Sequence, residues 1–149
     1  MKVLIATDGS EASLLAASES VVVLGADAEF VMAMVIDEQE DPMADAGGFE
    51  GPVSTDQQVR ESYRESVVGA EGALARSARA FGATPLRQRI VERSGGPIGG
   101  RICALAVEEQ VDVIVVGSHG HRALVDVLLG SVSSYVLHHS PCPVLLIRR

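Results

Sequence analysis

Short apolar runs alternate with longer amphipathic segments along the whole chain. The apolar runs have the length and continuity of strands covered on both faces, and the amphipathic segments repeat their apolar positions every three or four residues. This alternation predicts a parallel sheet with right-handed crossovers and helices on both faces. The predicted strands span residues 3–6, 28–36, 86–92, 111–116 and 144–147.

The first predicted helix follows the first strand after the turn Asp8-Gly9-Ser10. Ser10 or Ser13 can cap it, because a serine hydroxyl accepts a hydrogen bond from the unpaired N–H groups of a first helical turn. The helix is expected to reach about residue 24. Its apolar side chains available for burial are Leu14, Leu15, Val21, Val22 and Leu24.

An irregular segment is predicted over residues 37–55, where prolines, glycines and acidic residues argue against a regular element. A long helix follows over residues 57–81. Two further helices are expected, from Pro97 to about residue 110 and from Gly130 to about residue 138. The apolar stripe of the long helix consists of Val59, Tyr63, Val67, Ala70, Leu74, Ala78 and Phe81.

The composition bounds the class of protein. At 149 residues the chain has the size of one domain, residues 1–149, and its 47% hydrophobic residues can fill a core. A net charge of −8 disfavours nucleic acid as a partner, since phosphate backbones require clustered cations. No apolar run approaches the ~20 residues that span a bilayer, and the first residues do not resemble a secretory signal. We therefore expect a cytoplasmic protein with no membrane partner.

Two cysteines, Cys103 and Cys142, are far apart and lack metal-binding spacing. We expect both to be free thiols that pack as small apolar groups. The adjacent His138 and His139 are expected at a helix C-terminus, where the helix dipole favours them without a metal. No metal site is predicted.

Glycines concentrate after the fourth predicted strand, with the spacing Gly117-x2-Gly120-x9-Gly130-Ser131. Glycines let backbone N–H groups approach an anion closely, and a helix start adds unpaired N–H groups and a partial positive charge. The segment can therefore form a phosphate cradle in two pieces. The alternative is structural, because Gly117 and Gly120 can simply turn the chain and Ser131 can be an ordinary cap.

The two glycine pairs at this fixed distance resemble the ATP-binding signature of the universal stress protein family. The opening segment, residues 3–10, and the closing segment, residues 140–147, look like the first and last strands of the same family. The resemblance covers essentially the whole chain. It implies a Rossmann-like, doubly wound α/β domain with strand order 3-2-1-4-5.

That strand order places the reversal between the first and fourth strands, where ligands of such sheets bind. In the family, the Asp of the Asp-Gly-Ser segment contacts the nucleotide, which implies this role for Asp8; the residue equivalent to Val35 offers backbone groups to adenine. The residues that the resemblance implies for ATP binding are Ala6, Thr7, Asp8, Val35, Gly117, Ser118, His119, Gly120, His121, Arg122, Gly130, Ser131, Val132 and Ser133.

Other nucleotide-binding motifs are absent from the sequence. Lys2 is the only lysine, so no Gly-x-x-x-x-Gly-Lys-[Ser/Thr] loop exists, and no strand is followed by Gly-x-Gly-x-x-Gly. Triphosphate charge would be neutralised by backbone N–H groups, the Ser131 and Ser133 hydroxyls, Arg122 and a Mg²⁺ ion held through the phosphates. No catalytic residues are predicted, although Asp8 and His119 can meet in the crevice, which leaves slow hydrolysis open.

The principal hypothesis is an ATP-binding universal stress protein that acts as a nucleotide-dependent stress-response switch or sensor. The closing strand Val144–Ile147 is expected to join two subunits in a homodimer if it lies at the sheet edge. Arg87 and Arg89 suggest that the third strand forms the other edge. The alternatives are a dimeric interaction module without nucleotide function and a slow ATP hydrolase.

Overall fold

The computed structural model describes residues 1–37, 56–82, 84–93, 95–118 and 129–148. The irregular segment expected before the long helix lies almost entirely outside these residues. Strands and helices alternate as predicted. Their bounds are β1 Lys2–Ala6, α1 Glu11–Leu24, β2 Glu29–Ile36, α2 Asp56–Phe81, β3 Leu86–Glu92, α3 Ile98–Glu108, β4 Val113–Gly117, α4 Ser131–His139 and β5 Val144–Ile147.

The strands form a five-stranded parallel sheet in the order β3-β2-β1-β4-β5, which confirms the predicted topology. β1 lies between β2 and β4, with Ile5 paired to Met32 on one side and to Val115 on the other. β3 and β5 form the two edges, which confirms the prediction from Arg87 and Arg89. The strand order therefore reverses between β1 and β4.

Two apolar layers cover the two faces of the sheet. On one face, α1 and α2 pack over a core that includes Ile5, Phe30 and Met32, and the ring of Phe81 meets Phe30 edge to face at a centroid distance of 4.9 Å. On the other face, α3 and α4 pack over a core that includes Leu4 and Ile114. Alternate residues of each central strand face opposite layers, which explains why these strands are apolar throughout.

The start of α1 lies close to the end of β4. A Cβ atom at Gly117 would stand 2.8 Å from the backbone carbonyl carbon and oxygen of Ala12. Small side chains therefore form the buried face of the helix: Ala16, Ala17 and Ser20 are buried, whereas Val22 is 78% exposed. The expectation that Val22 is available for burial is wrong, because Val22 lies about 200° around the helix from the buried Ser20 and faces away from the sheet.

α3 begins after two left-handed glycines, Gly95 (φ 68°) and Gly96 (φ 69°). Its first turn lies against α4, and a Cβ at Gly99 would stand 2.8 Å from the Cβ and ring of Tyr135. The Tyr135 ring also stacks on His139 at a centroid distance of 4.1 Å. Gly99 therefore allows the close packing of α3 on α4.

Ion pairs join the C-terminal end of α3 to the sheet. The Glu109 carboxylate contacts the Lys2 ammonium at 3.0 Å, the Arg89 guanidinium at 2.5 Å and the Arg87 guanidinium. These contacts hold the pKa of Glu109 below its ordinary value: the hydrogen bond from Lys2 contributes most, Arg87 adds to it, and partial burial opposes both. The cluster surrounds Lys2, at the amino-terminal end of β1, whereas the predicted crevice lies at the carboxyl ends of the strands. It therefore contributes to the stability of the fold.

Cys103 and Cys142 are free thiols that pack against the α3–α4 core, as predicted. Burial, followed by the proximity of Cys142, raises the pKa of the Cys103 thiol, which keeps it protonated and unreactive near neutral pH. In the described part of the chain, no helix is long and apolar enough to cross a membrane.

Candidate functional site

The turn after β1 carries Asp8. The Thr7 N–H donates to the Ala33 carbonyl at 2.9 Å, which extends the pairing with β2 by one residue. The chain then turns at Gly9, whose φ of 77° suits glycine. The Ser10 N–H donates to Asp8 Oδ1 at 3.0 Å, and the Ser10 hydroxyl caps α1 by accepting from the Ser13 N–H. Asp8 is thus held half-buried at the carboxyl edge of the sheet.

The end of β4 is tied to the start of α4. The Ser118 N–H donates to the Ile147 carbonyl at 2.9 Å, which fixes Ser118 beside β5. The Ser118 carbonyl accepts from the Gly130 N–H at 2.9 Å and from the Ser133 hydroxyl at 3.1 Å. The Ser133 hydroxyl also lies 3.0 Å from the Gly130 carbonyl. The end of β4 and the start of α4, which residues 119–128 separate in sequence, are therefore joined by direct hydrogen bonds.

The N-terminus of α4 has no side-chain cap in the described part of the chain. Gly130 occupies the cap position with φ −58° and ψ 154°, and the Ser134 N–H makes the first helical bond, to the Gly130 carbonyl at 2.9 Å. The N–H groups of residues 131–133 precede that bond and have no acceptor within the helix. Ser131 is exposed at this end. First-turn N–H groups, the positive end of the helix dipole and an exposed hydroxyl together suit an oxyanion.

The Asp8 turn and the β4–α4 junction both lie at the carboxyl ends of the central strands. Ile5 pairs with Val115, so the residues after both strands leave the sheet side by side. The close approach of Gly117 to Ala12 places the start of α1 directly against the end of β4. The crevice expected at the strand reversal is therefore bounded by the Asp8 turn on one side and by Ser118 and α4 on the other.

The structure brings most of the predicted site residues to this crevice, but in different roles. Ala6 ends β1, Thr7 is buried, and Gly117 ends β4 with α1 packed against it. Val35 lies one strand away on β2, half-buried, and packs against the α3–α4 core. His119, Gly120, His121 and Arg122 lie outside the described residues. Around the open end of α4, the structure places Gly130, Ser131, Val132 and Ser133.

Sequence reasoning missed the contribution of α2 to the Asp8 turn. The Ser77 hydroxyl lies 2.8 Å from the Thr7 hydroxyl, and the Cβ of Ala73 leaves no room for a side chain at Gly9. Ser77 stands three residues after Leu74 and four before Phe81, both of which are buried. A serine at that spacing falls on the buried face of an amphipathic helix, and this was the signal available in the sequence.

Metal-binding side chains do not cluster in the described ranges, where no group of three or more His, Cys, Asp or Glu residues could hold a metal ion.

The parallel order 3-2-1-4-5 and the crevice at the strand reversal define a doubly wound α/β protein. Residues 1–148 match the universal stress protein family. The chain therefore belongs to the universal stress protein family.

Individual relatives agree with this assignment. The universal stress protein Slr1101 of Synechocystis is 44% identical over 52 residues, which are 35% of this chain and 48% of that protein, so the match spans about half of the relative. The solved structure of MJ0577 from Methanocaldococcus jannaschii is 27% identical, with a TM-score of 0.76 over 99% of this chain and 95% of that chain. A universal stress protein in complex with cAMP is 25% identical, with a TM-score of 0.63 over 99% and 96%.

Proposed function

We propose that this universal stress protein binds an adenine nucleotide, ATP, in the crevice between the Asp8 turn and the β4–α4 junction. The observation that carries the proposal is the open N-terminus of α4 beside the ends of β1 and β4. Its first-turn N–H groups and the exposed Ser131 hydroxyl supply the donors that phosphate oxygens require. Asp8, across the crevice, supplies a carboxylate that suits ribose hydroxyls.

The related protein in complex with cAMP supports an adenine nucleotide as the ligand class. In the proposed complex, the backbone of Val35 contacts adenine, and Mg²⁺ is held through the phosphates. Mg²⁺ would neutralise phosphate charge. That arrangement agrees with the described residues, which offer helix N–H groups at this edge but no cluster of metal-binding side chains.

The proposal includes a role as a cytoplasmic, nucleotide-dependent switch in the stress response, working as a homodimer. β5 is the proposed dimer strand, because Val144–Ile147 forms an edge of the sheet and pairs only with β4 among the described residues. An unpaired apolar edge strand favours pairing with a second copy. Size-exclusion chromatography with light scattering tests this part independently of nucleotide.

The binding proposal is tested by Ser131→Ala. We expect this substitution to weaken Mg-ATP binding about tenfold or more, the effect of one lost hydrogen bond to a charged group, and to leave stability nearly unchanged because Ser131 is exposed. Isothermal titration calorimetry measures the dissociation constant. Ser66→Ala, at another exposed helical serine, is the matched control and should bind as the wild type does.

Ser133→Ala changes the other serine at the same helix end, whose hydroxyl has a structural role. Its buried hydroxyl donates within the β4–α4 junction, so we expect a loss of stability as well as of affinity.

Wild-type protein that binds neither Mg-ATP nor AMP at millimolar concentration would refute the proposal and favour an interaction module. Phosphate release above background over hours would favour slow hydrolysis.

A further inference from the structure

Buried hydroxyls connect α2 to the turn that carries Asp8. Ser77 is fully buried on α2, and its hydroxyl lies 2.8 Å from the hydroxyl of Thr7, which is 70 residues away in sequence. The Thr7 hydroxyl also lies 3.0 Å from the Ser13 hydroxyl and accepts a hydrogen bond from the Gly9 N–H at 3.1 Å. One oxygen therefore joins β1, α1, α2 and the turn.

The protons of this network can be assigned by counting donors. The Ser13 hydroxyl donates to the Ser10 carbonyl at 2.9 Å, so it accepts from Thr7. The Thr7 hydroxyl has only one proton, which it gives to Ser13. Ser77 must then donate to Thr7. The resulting chain runs in one direction, from Ser77 through Thr7 and Ser13 to the Ser10 carbonyl, and each hydroxyl polarises the next.

The backbone of the same turn also packs directly on α2. A Cβ at Gly9 would stand 2.8 Å from the Cβ of Ala73 and 3.1 Å from Nη2 of Arg76. Ala73 is one helical turn before Ser77, so both contacts come from the same face of α2. The position of the turn thus depends on α2 through van der Waals contact at Gly9 and through a hydrogen bond at Thr7.

We propose that Ser77 is a positioning residue for the candidate nucleotide site. Its hydroxyl orients the Thr7 oxygen, which holds the Gly9 N–H and thereby fixes the turn that presents Asp8. This inference rests on the proposed function for its consequence in binding. The orientation of the turn itself can be tested without nucleotide.

Ser77→Ala removes the hydroxyl and keeps a good helix former, so the variant should fold. Ser20→Ala is the matched control: Ser20 is also fully buried in a helix, but its hydroxyl donates to the Ala17 carbonyl of its own helix at 2.7 Å. Both substitutions remove one buried hydrogen bond. We expect Ser77→Ala to weaken Mg-ATP binding about fivefold, and Ser20→Ala to change it less than twofold.

Amide hydrogen exchange of the nucleotide-free protein gives the second readout. We expect the Gly9 N–H to exchange at least ~tenfold faster in Ser77→Ala, because its acceptor loses orientation, and to exchange at the wild-type rate in Ser20→Ala. Equal affinity loss in the two variants, or unchanged Gly9 exchange in Ser77→Ala, would overturn the inference. If the wild type binds no nucleotide, the proposed function fails, and Gly9 exchange alone then decides whether Ser77 positions the turn.

Discussion

Replacing Glu109 with glutamine tests how the amino-terminal end of the sheet is held. Glu109 is the shared anion of three cations, and its side chain is 9% exposed. The Lys2 side chain is 23% exposed, and its ammonium donates both to this carboxylate and to the Glu109 carbonyl at 2.7 Å. Arg87 and Arg89 are 48% and 41% exposed. Glutamine keeps the shape of the side chain but removes the negative charge that the three cations share, and it leaves Lys2 with the more distant Glu29 carboxylate at 3.8 Å.

The expected loss of stability is about 2–3 kcal/mol. Most of it comes from Lys2, whose charged hydrogen bond is largely shielded from water and is worth roughly 1.5 kcal/mol or more. The two arginines remain partly hydrated, so each contributes less than about 1 kcal/mol. This is below the 3–5 kcal/mol typical of breaking a fully buried pair, because only the carboxylate is buried.

Urea unfolding at pH 7 measures the difference, and Glu108→Gln is the control. Glu108 is the preceding residue, but it is 52% exposed and pairs with Arg101 at 2.8 Å, so its substitution should cost about 0.5 kcal/mol or less. Equal effects of the two substitutions would refute the reasoning, since they would show that burial of the Glu109 carboxylate contributes nothing.

The same cluster predicts a dependence on pH. Because the folded-state pKa of Glu109 lies below its unfolded value, this residue stabilises the fold fully above the unfolded pKa of about 4.3. In acid the unfolded chain takes up the proton first, so this stability is lost as pH falls through the folded-state pKa. The stability difference between wild type and Glu109→Gln should therefore be constant near neutrality and shrink below about pH 4. A difference that grows in acid would contradict this sign.

Two glycine substitutions test the close approach of helices. Gly117→Ala should destabilise the protein by about 1–3 kcal/mol, because the new Cβ meets the Ala12 backbone at 2.8 Å. The control Gly69→Ala should be neutral or stabilising, since a Cβ there meets nothing within 4 Å. Equal melting temperatures of the two variants in thermal unfolding would contradict the packing argument. Gly99→Ala should cost a similar 1–3 kcal/mol by displacing Tyr135, and an unchanged tyrosine fluorescence spectrum with unchanged melting temperature would contradict it.

Most of the fold could be predicted from the sequence because the central strands are buried on both faces and therefore read as continuous apolar runs. The bounds of β3 and β5 agree with prediction. β4 begins at Val113 instead of residue 111, because the Val111 N–H donates to the Ala106 carbonyl and Val111 therefore still belongs to the turn that follows α3. The strand order came from family resemblance, since local periodicity carries no information on which strands are neighbours.

The burial of α1 could not be predicted from hydrophobicity. Hydrophobicity ranks Val22 above Ser20, yet Ser20 is buried and Val22 is exposed. Ser20 continues the buried face formed by Ser13, Ala16 and Ala17, whereas Val22 lies two residues further on, about 200° around the helix. The helical spacing of Ser77 indicated burial, but its partner, the Thr7 hydroxyl 70 residues away, could be recognised only from the structure.

The structure brings the Asp8 turn, Gly117 and Gly130 together at the carboxyl ends of β1 and β4, where the resemblance implied a site. The sequence could not assign physical roles to individual residues. Gly117 accommodates the backbone of α1, and the Ser133 hydroxyl donates within the β4–α4 junction. Ser131 presents its exposed side chain at the open helix end. Two serines separated by one residue thus differ in role because only one faces the junction.

The binding of an adenine nucleotide is tested most directly by what the protein carries when it is purified. Freshly purified protein would be denatured, and the released small molecules identified by mass spectrometry and ultraviolet absorbance. We expect ATP near one molecule per chain, and less from Ser131→Ala than from Ser66→Ala. Protein that releases no nucleotide, and whose melting temperature does not change with millimolar Mg-ATP, would contradict the assignment of the crevice as a nucleotide site.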